Sequence, residues 1–399
     1  MQTHILIITK KLPYLLDKVQ VYHFYNGSGG GVLSVIKNLL RFSKNENIEN
    51  HIIHAVNKKE ISNYKIEPII GAVTQQLYFF TPRNNFYYSC KQLAKLLPDN
   101  KAVIIAHDWL ELGMASNLGL QNPVVQYLHG DYDYYYQLAI KNEASIDLFA
   151  AVSENIQLSL QNKIAGRAND IFYLRFPVPD ALPTNYKSKS ERNIIFIGRL
   201  TKEKGYYLLP EIARKINVSS IKFKWHIVGT NLTHTDTDAF WDNDIDVQFY
   251  GNIENEKVQM LLTKMDFFIL PSIAEGMPVS LIEAMKASVV PLVNNITGGI
   301  AELVENGITG FKIEDNDVDN YTNKLMWLTK NEKDFVNIKF AAKEKADLLF
   351  DFEKNTNAFE ELIIMLKGNP LKIPLKLYGS RLDQPWLPNG VTKFLRKIV

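Results

Sequence analysis

One cysteine, Cys90, is all the thiol in this 399-residue chain. A lone thiol excludes an intramolecular disulfide and a cysteine-based zinc site, and it suits a reducing cytoplasm. A dominant charge is also missing. The 45 basic and 43 acidic residues leave a net charge of +2, so no overall field favours nucleic acid. No apolar run approaches the length that spans a bilayer. Residues 1–9 are too short for a signal peptide and are followed by Lys10 and Lys11, so they read as a first core strand. The glycines of 26–31 lack the G-x-G-x-x-G spacing with an acid downstream, which leaves a nicotinamide site poorly supported.

What is present is ordinary core material in a repeating order. The apolar fraction is 46%, enough for globular cores, and the length suggests two domains. Short apolar runs at 5–9, 51–56, 77–80, 103–107, 124–128, 148–152 and 171–174 read as strands of a first half. Runs at 194–198, 224–229, 247–251, 267–270, 289–293 and 310–313 read as strands of a second. Helical periodicity lies between them, for example at 32–42, 258–264 and 320–328. Strands apolar on both faces, alternating with helices, imply parallel sheets covered on both sides. Ligands in such sheets bind at the C-terminal strand ends. Phe176-Pro177-Val178-Pro179 and the polar stretch 184–192 read as the linker. The expected domains are therefore 1–183 and 184–367, with an extension at 368–399. The seventeen or so residues between Thr9 and the glycine loop read as an irregular segment that covers an acceptor site.

Two motifs sit at expected strand ends. In the first, Glu275-Gly276-Met277-Pro278 follows the apolar run 267–271, and Glu283 follows seven residues after Glu275. Pro278 marks a helix start, whose free N–H groups suit an anion or a sugar oxygen. Glu275 in the loop and Glu283 on the helix would hold different parts of one long polar ligand. In the second, Gly198-Arg199-Leu200-Thr201-Lys202-Glu203-Lys204-Gly205 ends the strand 194–198. Gly198 permits close approach of backbone to a ligand. Arg199 offers a planar fork of donors and Lys204 a point charge, a combination that favours a diphosphate. Taken singly, each of these charged residues is equally an ordinary solvated side chain.

The order and spacing of G-R-L-x-x-E-K-G, E-G-x-P-x-x-x-x-E, Thr297-Gly298-Gly299 with Glu302, and Asn306-Gly307 with Thr309-Gly310-Phe311 resemble the C-terminal domain of retaining glycosyltransferases of the GT-B fold, family 4 in particular. The resemblance is specific over 194–311 and looser before it. It implies two Rossmann-like parallel-sheet domains facing a cleft, an N-terminal one for the acceptor and a C-terminal one for the nucleotide sugar. It implies a hexosyl transfer with retention, in bacterial cell-surface polysaccharide or glycolipid assembly. Arg199 and Lys204 would stabilise the leaving diphosphate. Glu283 would hold the ribose, and Glu275 with the N–H groups of Gly276 and Met277 the sugar. Tyr250, Asn252 and Ile253 would meet the base through their backbone. Gly29 and Gly30 match a glycine pair near the diphosphate, and His129 matches a histidine under the transferred sugar. UDP is the expected nucleotide on frequency alone. No cofactor and no metal is expected, since two cations already face the diphosphate.

The remaining candidates carry open alternatives. His107, Asp108, Asp131 and Tyr132 are expected on the acceptor side of the first half, although a histidine at a strand end is commonly structural. Residues 131–136 read as a tyrosine-rich loop whose rings stack on sugars. The extension carries Lys372, Lys376, Arg381, Lys393, Arg396 and Lys397 against one acid, Asp383, with apolar residues and prolines between. It reads either as a segment packed back on the first domain or as an interfacial contact with anionic lipid, which a lipid-linked acceptor would favour. A sugar-nucleotide sensor without catalysis, or a phosphorylase of the same fold, remains an alternative function.

Overall fold

The computed structural model describes residues 8–9, 18–27, 30–58, 64–183, 191–219, 221–230, 240–315, 317–366, 372–376 and 379–398. The chain forms two compact units, Met1–Pro177 with Glu353–Val399, and Val178–Phe352. These boundaries differ from those expected at 183/184 and 367/368. The chain crosses within the proline-rich 176–179 stretch itself. It returns at the start of the helix Phe352–Met365, which joins the first unit. There Glu360 accepts a hydrogen bond from Ser43 Oγ at 2.5 Å, and Asn355 Nδ2 donates to the Phe176 carbonyl at 3.3 Å. An amphipathic helix does not announce in its sequence which sheet it will cover.

The first unit is built on β1 (Ile8–Thr9), β2 (Val19–Tyr25), β3 (Ile48–Asn57), β4 (Ala72–Phe80), β5 (Val103–Ala106), β6 (Val124–Leu128), β7 (Leu148–Ala151) and β8 (Ile171–Tyr173). Their order is β1-β4-β3-β2-β5-β6-β7-β8. All neighbours are parallel except β1 with β4. β2 corrects the sequence reading. Of the segment before the glycine loop, residues 10–17 lie outside the described residues, and residues 19–25 form a strand between β3 and β5, with Val21 and Phe24 buried. Its Val-Gln-Val-Tyr-His-Phe-Tyr pattern is rich in β-branched and aromatic residues, which fit a pleated surface.

The second unit holds β9 (Glu191–Ile197), β10 (Lys222–Val228), β11 (Val247–Gly251), β12 (Phe267–Leu270), β13 (Val290–Asn294) and β14 (Phe311–Ile313). The order is β11-β10-β9-β12-β13-β14, all parallel. β12 is buried along its length, the pattern of a strand in a parallel sheet covered on both faces. In both units the order reverses once, between β2 and β5 and between β9 and β12. A reversal sends the two flanking crossovers to opposite faces and opens a crevice at the C-terminal strand ends, where doubly wound sheets take ligands.

Lys286 closes the second unit. It ends the helix Val279–Lys286 and is 1% exposed. Its Nζ donates to the carbonyls of Val178 at 2.9 Å and Phe350 at 3.1 Å, and pairs with Asp180 at 3.0 Å. One ammonium thus ties down both ends of this unit's chain.

The extension packs on the first unit. Lys372 is buried, donating to the Asn122 carbonyl at 2.6 Å and pairing with Asp147 at 2.5 Å. Leu375 N donates to the Ser116 carbonyl at 2.7 Å. Asn85 Nδ2 donates to the carbonyls of Leu382, Gln384 and Leu387. The helix Asn389–Ile398 ends the described chain.

Candidate active site

The two sequence motifs meet at the β9/β12 crevice. Gly205 has φ +69°, and a Cβ there would fall 1.9 Å from the Pro271 carbonyl oxygen. Only glycine lets the loop after β9 lie against the loop after β12. Ile273 N donates to the Glu203 carbonyl at 3.0 Å, which fastens the two loops. Across this contact Lys204 Nζ pairs with Glu275 Oε1 at 2.5 Å. Ser272 Oγ donates to the same oxygen at 2.7 Å. Glu275 is 7% exposed, so its charge is matched inside the site rather than by solvent. Arg199 is exposed at the end of β9. Behind it, Gly229 lies so close that its Cβ would meet the Gly198 carbonyl oxygen at 1.9 Å, and Gly198 N donates to the Val228 carbonyl.

Gly276, Met277 and Pro278 are buried, and Pro278 is the cap residue before the helix Val279–Lys286. The Gly276 carbonyl accepts from Gly299 N at 2.6 Å, so the Thr297-Gly298-Gly299 turn after β13 braces the Glu275 loop. Glu283, on the inner side of the helix, accepts from Asn255 Nδ2 at 2.7 Å. Asn255 opens the helix that follows the 251–254 turn after β11. The two acids are thereby divided, Glu275 with the β9 loop and Glu283 with the β11 loop. Burial pushes the Glu283 carboxyl up from its ordinary 4.5 to about 7, against the lowering effect of Asn255 and Gln259. Tyr250 turns its hydroxyl to His226 Nδ1 at 2.7 Å, which leaves its backbone, with Asn252 and Ile253, at the strand end. Gly251 there adopts φ +62°.

In the first unit the β2/β5 reversal gathers three histidines. His23 Nδ1 lies 3.4 Å from His107 Nε2, and His107 Nδ1 lies 2.7 Å from His129 Nε2. Burial pushes His23 and His129 down to about 3, and burial followed by its two histidine neighbours holds His107 well below its ordinary value. All three rings are therefore neutral near pH 7. His23 lies in the strand that the sequence reading passed over. Asp108 caps the helix Trp109–Leu118 in a reciprocal box with Glu111, a D-x-x-E signature present in the sequence. Its carboxylate also accepts from Asn26 Nδ2 at 2.7 Å and from the Tyr134 hydroxyl. Gly30 has φ +80° and caps the helix Gly31–Phe42; Gly29 lies outside the described residues.

Residues 131–136 are not a loop throughout, as expected from sequence. Tyr132 caps the helix Asp133–Asn142 and Tyr136 is buried in it, while Tyr132 and Tyr134 remain exposed. Asp131 accepts from the Tyr136 hydroxyl and from Asn155 Nδ2, each at 2.6 Å. These contacts hold Asp131 to two helices, Asp133–Asn142 through Tyr136 and Glu154–Lys163 through Asn155. Among the described residues no group of three His, Cys, Asp or Glu side chains is arranged to hold a metal ion. Sequence reasoning missed Ser272 and Asn255, the partners that fix the two glutamates. Ser272 stands three residues before Glu275 and was legible as a local donor; Asn255 is brought in by the fold.

Residues 181–345 match the family model described as glycosyl transferases group 1, a stretch that contains Arg199, Lys204, Glu275 and Glu283. The amylovoran biosynthesis glycosyltransferase AmsK of Erwinia amylovora is 30% identical over 167 residues, 40% of this chain and 41% of that protein. The chain spans about a third to two fifths of the length of the curated relatives it first matches. Among solved structures, Anabaena Alr3699/HepE in complex with UDP and glucose has a TM-score of 0.69 at 16% identity, covering 87% of this chain and 100% of that one. The pneumococcal O-GlcNAc transferase GtfA in complex with UDP and GlcNAc has a TM-score of 0.69 at 11% identity, covering 88% and 99%. The fold is that of the GT-B glycosyltransferases, two parallel-sheet α/β units. The match to the glycosyl transferases group 1 model lies within the second of them.

Proposed function

We propose that this chain is a retaining glycosyltransferase of the family 4 type. It moves a sugar from a nucleotide diphosphate sugar, UDP being the favoured nucleotide, to a carbohydrate or lipid-linked hydroxyl in bacterial surface-polysaccharide assembly. The observation that carries the reading is the joining of the Arg199–Gly205 loop to the Glu275 loop at the β9/β12 crevice, with Lys204 and Glu275 paired at 2.5 Å. An arriving diphosphate exchanges Glu275 for phosphate oxygens on Lys204, and Arg199 closes on the same group. Glu275, still held by Ser272, turns to the sugar hydroxyls with the N–H groups of Gly276 and Met277. Glu283 takes the ribose hydroxyls beside the 250–253 backbone that meets the base. AmsK's name and the UDP complexes of HepE and GtfA support the substrate class.

In the reaction the acceptor oxygen bonds to the anomeric carbon on the face the diphosphate leaves. The carbon–oxygen bond to phosphate breaks, and the acceptor proton passes to the departing phosphate oxygen. The chain's largest contribution is electrostatic, since Arg199 and Lys204 face the charge that grows on the leaving group. The family resemblance would assign His129 to the transferred sugar, the Gly29–Gly30 pair to the diphosphate, and His107, Asp108, Asp131 and Tyr132 to the acceptor. The test is a panel of nucleotide sugars incubated with the chain and a crude acceptor extract, scored for release of nucleoside diphosphate. Turnover with one donor supports transfer. Tight binding without release of nucleoside diphosphate favours a sensor instead.

A further inference from the structure

The helix Asn389–Ile398 is attached with the wrong side in. Its polar residues hold it to the first unit. Thr392 Oγ1 donates to the Leu382 carbonyl at 2.8 Å, and Asn389 Oδ1 accepts from Asn85 N at 2.8 Å. Arg396 donates to the Pro82 carbonyl at 3.0 Å, to Ser380 Oγ at 3.0 Å and to Asp383 at 2.6 Å. Val391, Phe394 and Ile398, spaced three and four apart, share the opposite face and are 43%, 63% and 68% exposed. A helix that completes a core buries such a stripe and leaves its polar face to water. Trp386, in the turn before the helix, is 76% exposed, beside Tyr88 and Lys91.

We propose that Trp386 and the outer face of this helix form a docking surface for an anionic lipid bilayer. Charge selects the occupant. Arg381, Lys393 and Lys397 are exposed around the stripe, and Asp383, the one acid in residues 379–398, is tied to Arg396. A short basic helix with an apolar stripe and an adjacent tryptophan is the combination that lies in the headgroup region. Lys393 and Lys397 meet lipid phosphates while Phe394 and Ile398 enter the acyl boundary. This surface belongs wholly to the first unit and does not depend on the donor chemistry.

The experiment is sedimentation of the full chain with vesicles of phosphatidylcholine alone, and of phosphatidylcholine with an equal part of phosphatidylglycerol. Binding is expected to the anionic vesicles, weakened by added salt. Lys393→Gln with Lys397→Gln should lower the affinity by about 25-fold, at about fivefold per basic residue. Phe394→Ser with Ile398→Ser, and separately Trp386→Ser, should lower it while the melting temperature holds, because none of these side chains anchors the helix. Equal binding to both vesicle types, binding to neither, or variants that bind as wild type does would overturn the proposal. So would a concentration-dependent dimer that Phe394→Ser abolishes, since the face would then belong to a second copy.

Discussion

Replacing Glu283 by glutamine removes a buried acid whose ionisation the fold opposes. Burial raises its pKa from 4.5 to about 7. A raised native pKa means that the group's contribution to stability is full below the unfolded value and is lost as pH climbs through 7. The shift of 4.5 to about 7 corresponds to roughly 3 kcal/mol. Between about pH 4 and pH 8 the wild type should therefore lose roughly that much stability relative to Glu283→Gln, read from urea melts across the range. Donor binding should show the mirror image. Under the proposed role, ribose hydroxyls would donate to the carboxylate and draw its proton off, so affinity should rise about tenfold from about pH 6 to pH 8. Calorimetry should use a nucleotide sugar, because its doubly esterified diphosphate has no ionisation in this window, whereas a terminal phosphate titrates near 6. Glu283→Gln should bind more weakly at pH 8 and show no slope. Parallel pH profiles in wild type and variant, for stability or for affinity, would refute the reasoning.

Arg199→Ala and Lys204→Ala should each lower turnover by about 10²–10³. Lys204→Ala should also cost about 1–3 kcal/mol, because Glu275 is left buried with Ser272 alone; wild-type rates in both variants would end the diphosphate assignment. Glu275→Ala should act mainly on kcat, its contact strengthening in the transition state, with nucleotide affinity by calorimetry nearly unchanged. Activity should survive EDTA; a complete loss restored by a divalent ion would contradict this and point to a metal-dependent reaction. Lys286→Met should destabilise the chain by about 2–3 kcal/mol in urea melts by removing the buried hydrogen bonds to the Val178 and Phe350 carbonyls and the ion pair with Asp180, and a change below about 0.5 kcal/mol would show that these contacts add no net stability.

The second unit was legible because its signals are local. Buried parallel strands such as Phe267–Leu270 read as uninterrupted apolar runs, and Gly198, Gly205 and Pro278 punctuate them where the backbone must turn or approach closely. What sequence did not give was which of these loops touch. The Lys204–Glu275 pair spans 71 positions, and only the reversal between β9 and β12 brings it together. β2 escaped notice because histidine and glutamine interrupt its apolar pattern, and His23 was lost with it. The tyrosines of 131–136 suggested a loop because aromatic side chains are weak helix formers, yet tertiary packing of Tyr136 overrides that preference. The unit boundary at 352/353 was hidden for a related reason: the helix Phe352–Met365 carries an ordinary amphipathic pattern, and its choice of sheet is made by contacts such as Ser43–Glu360.

The most direct test of the account is a crystal structure of the chain with the nucleotide sugar that most raises its melting temperature. The account places the diphosphate against Arg199 and Lys204, with Lys204 released from Glu275, the ribose on Glu283 and the base on the 250–253 backbone. A nucleotide bound elsewhere, with the Lys204–Glu275 pair intact, would contradict it.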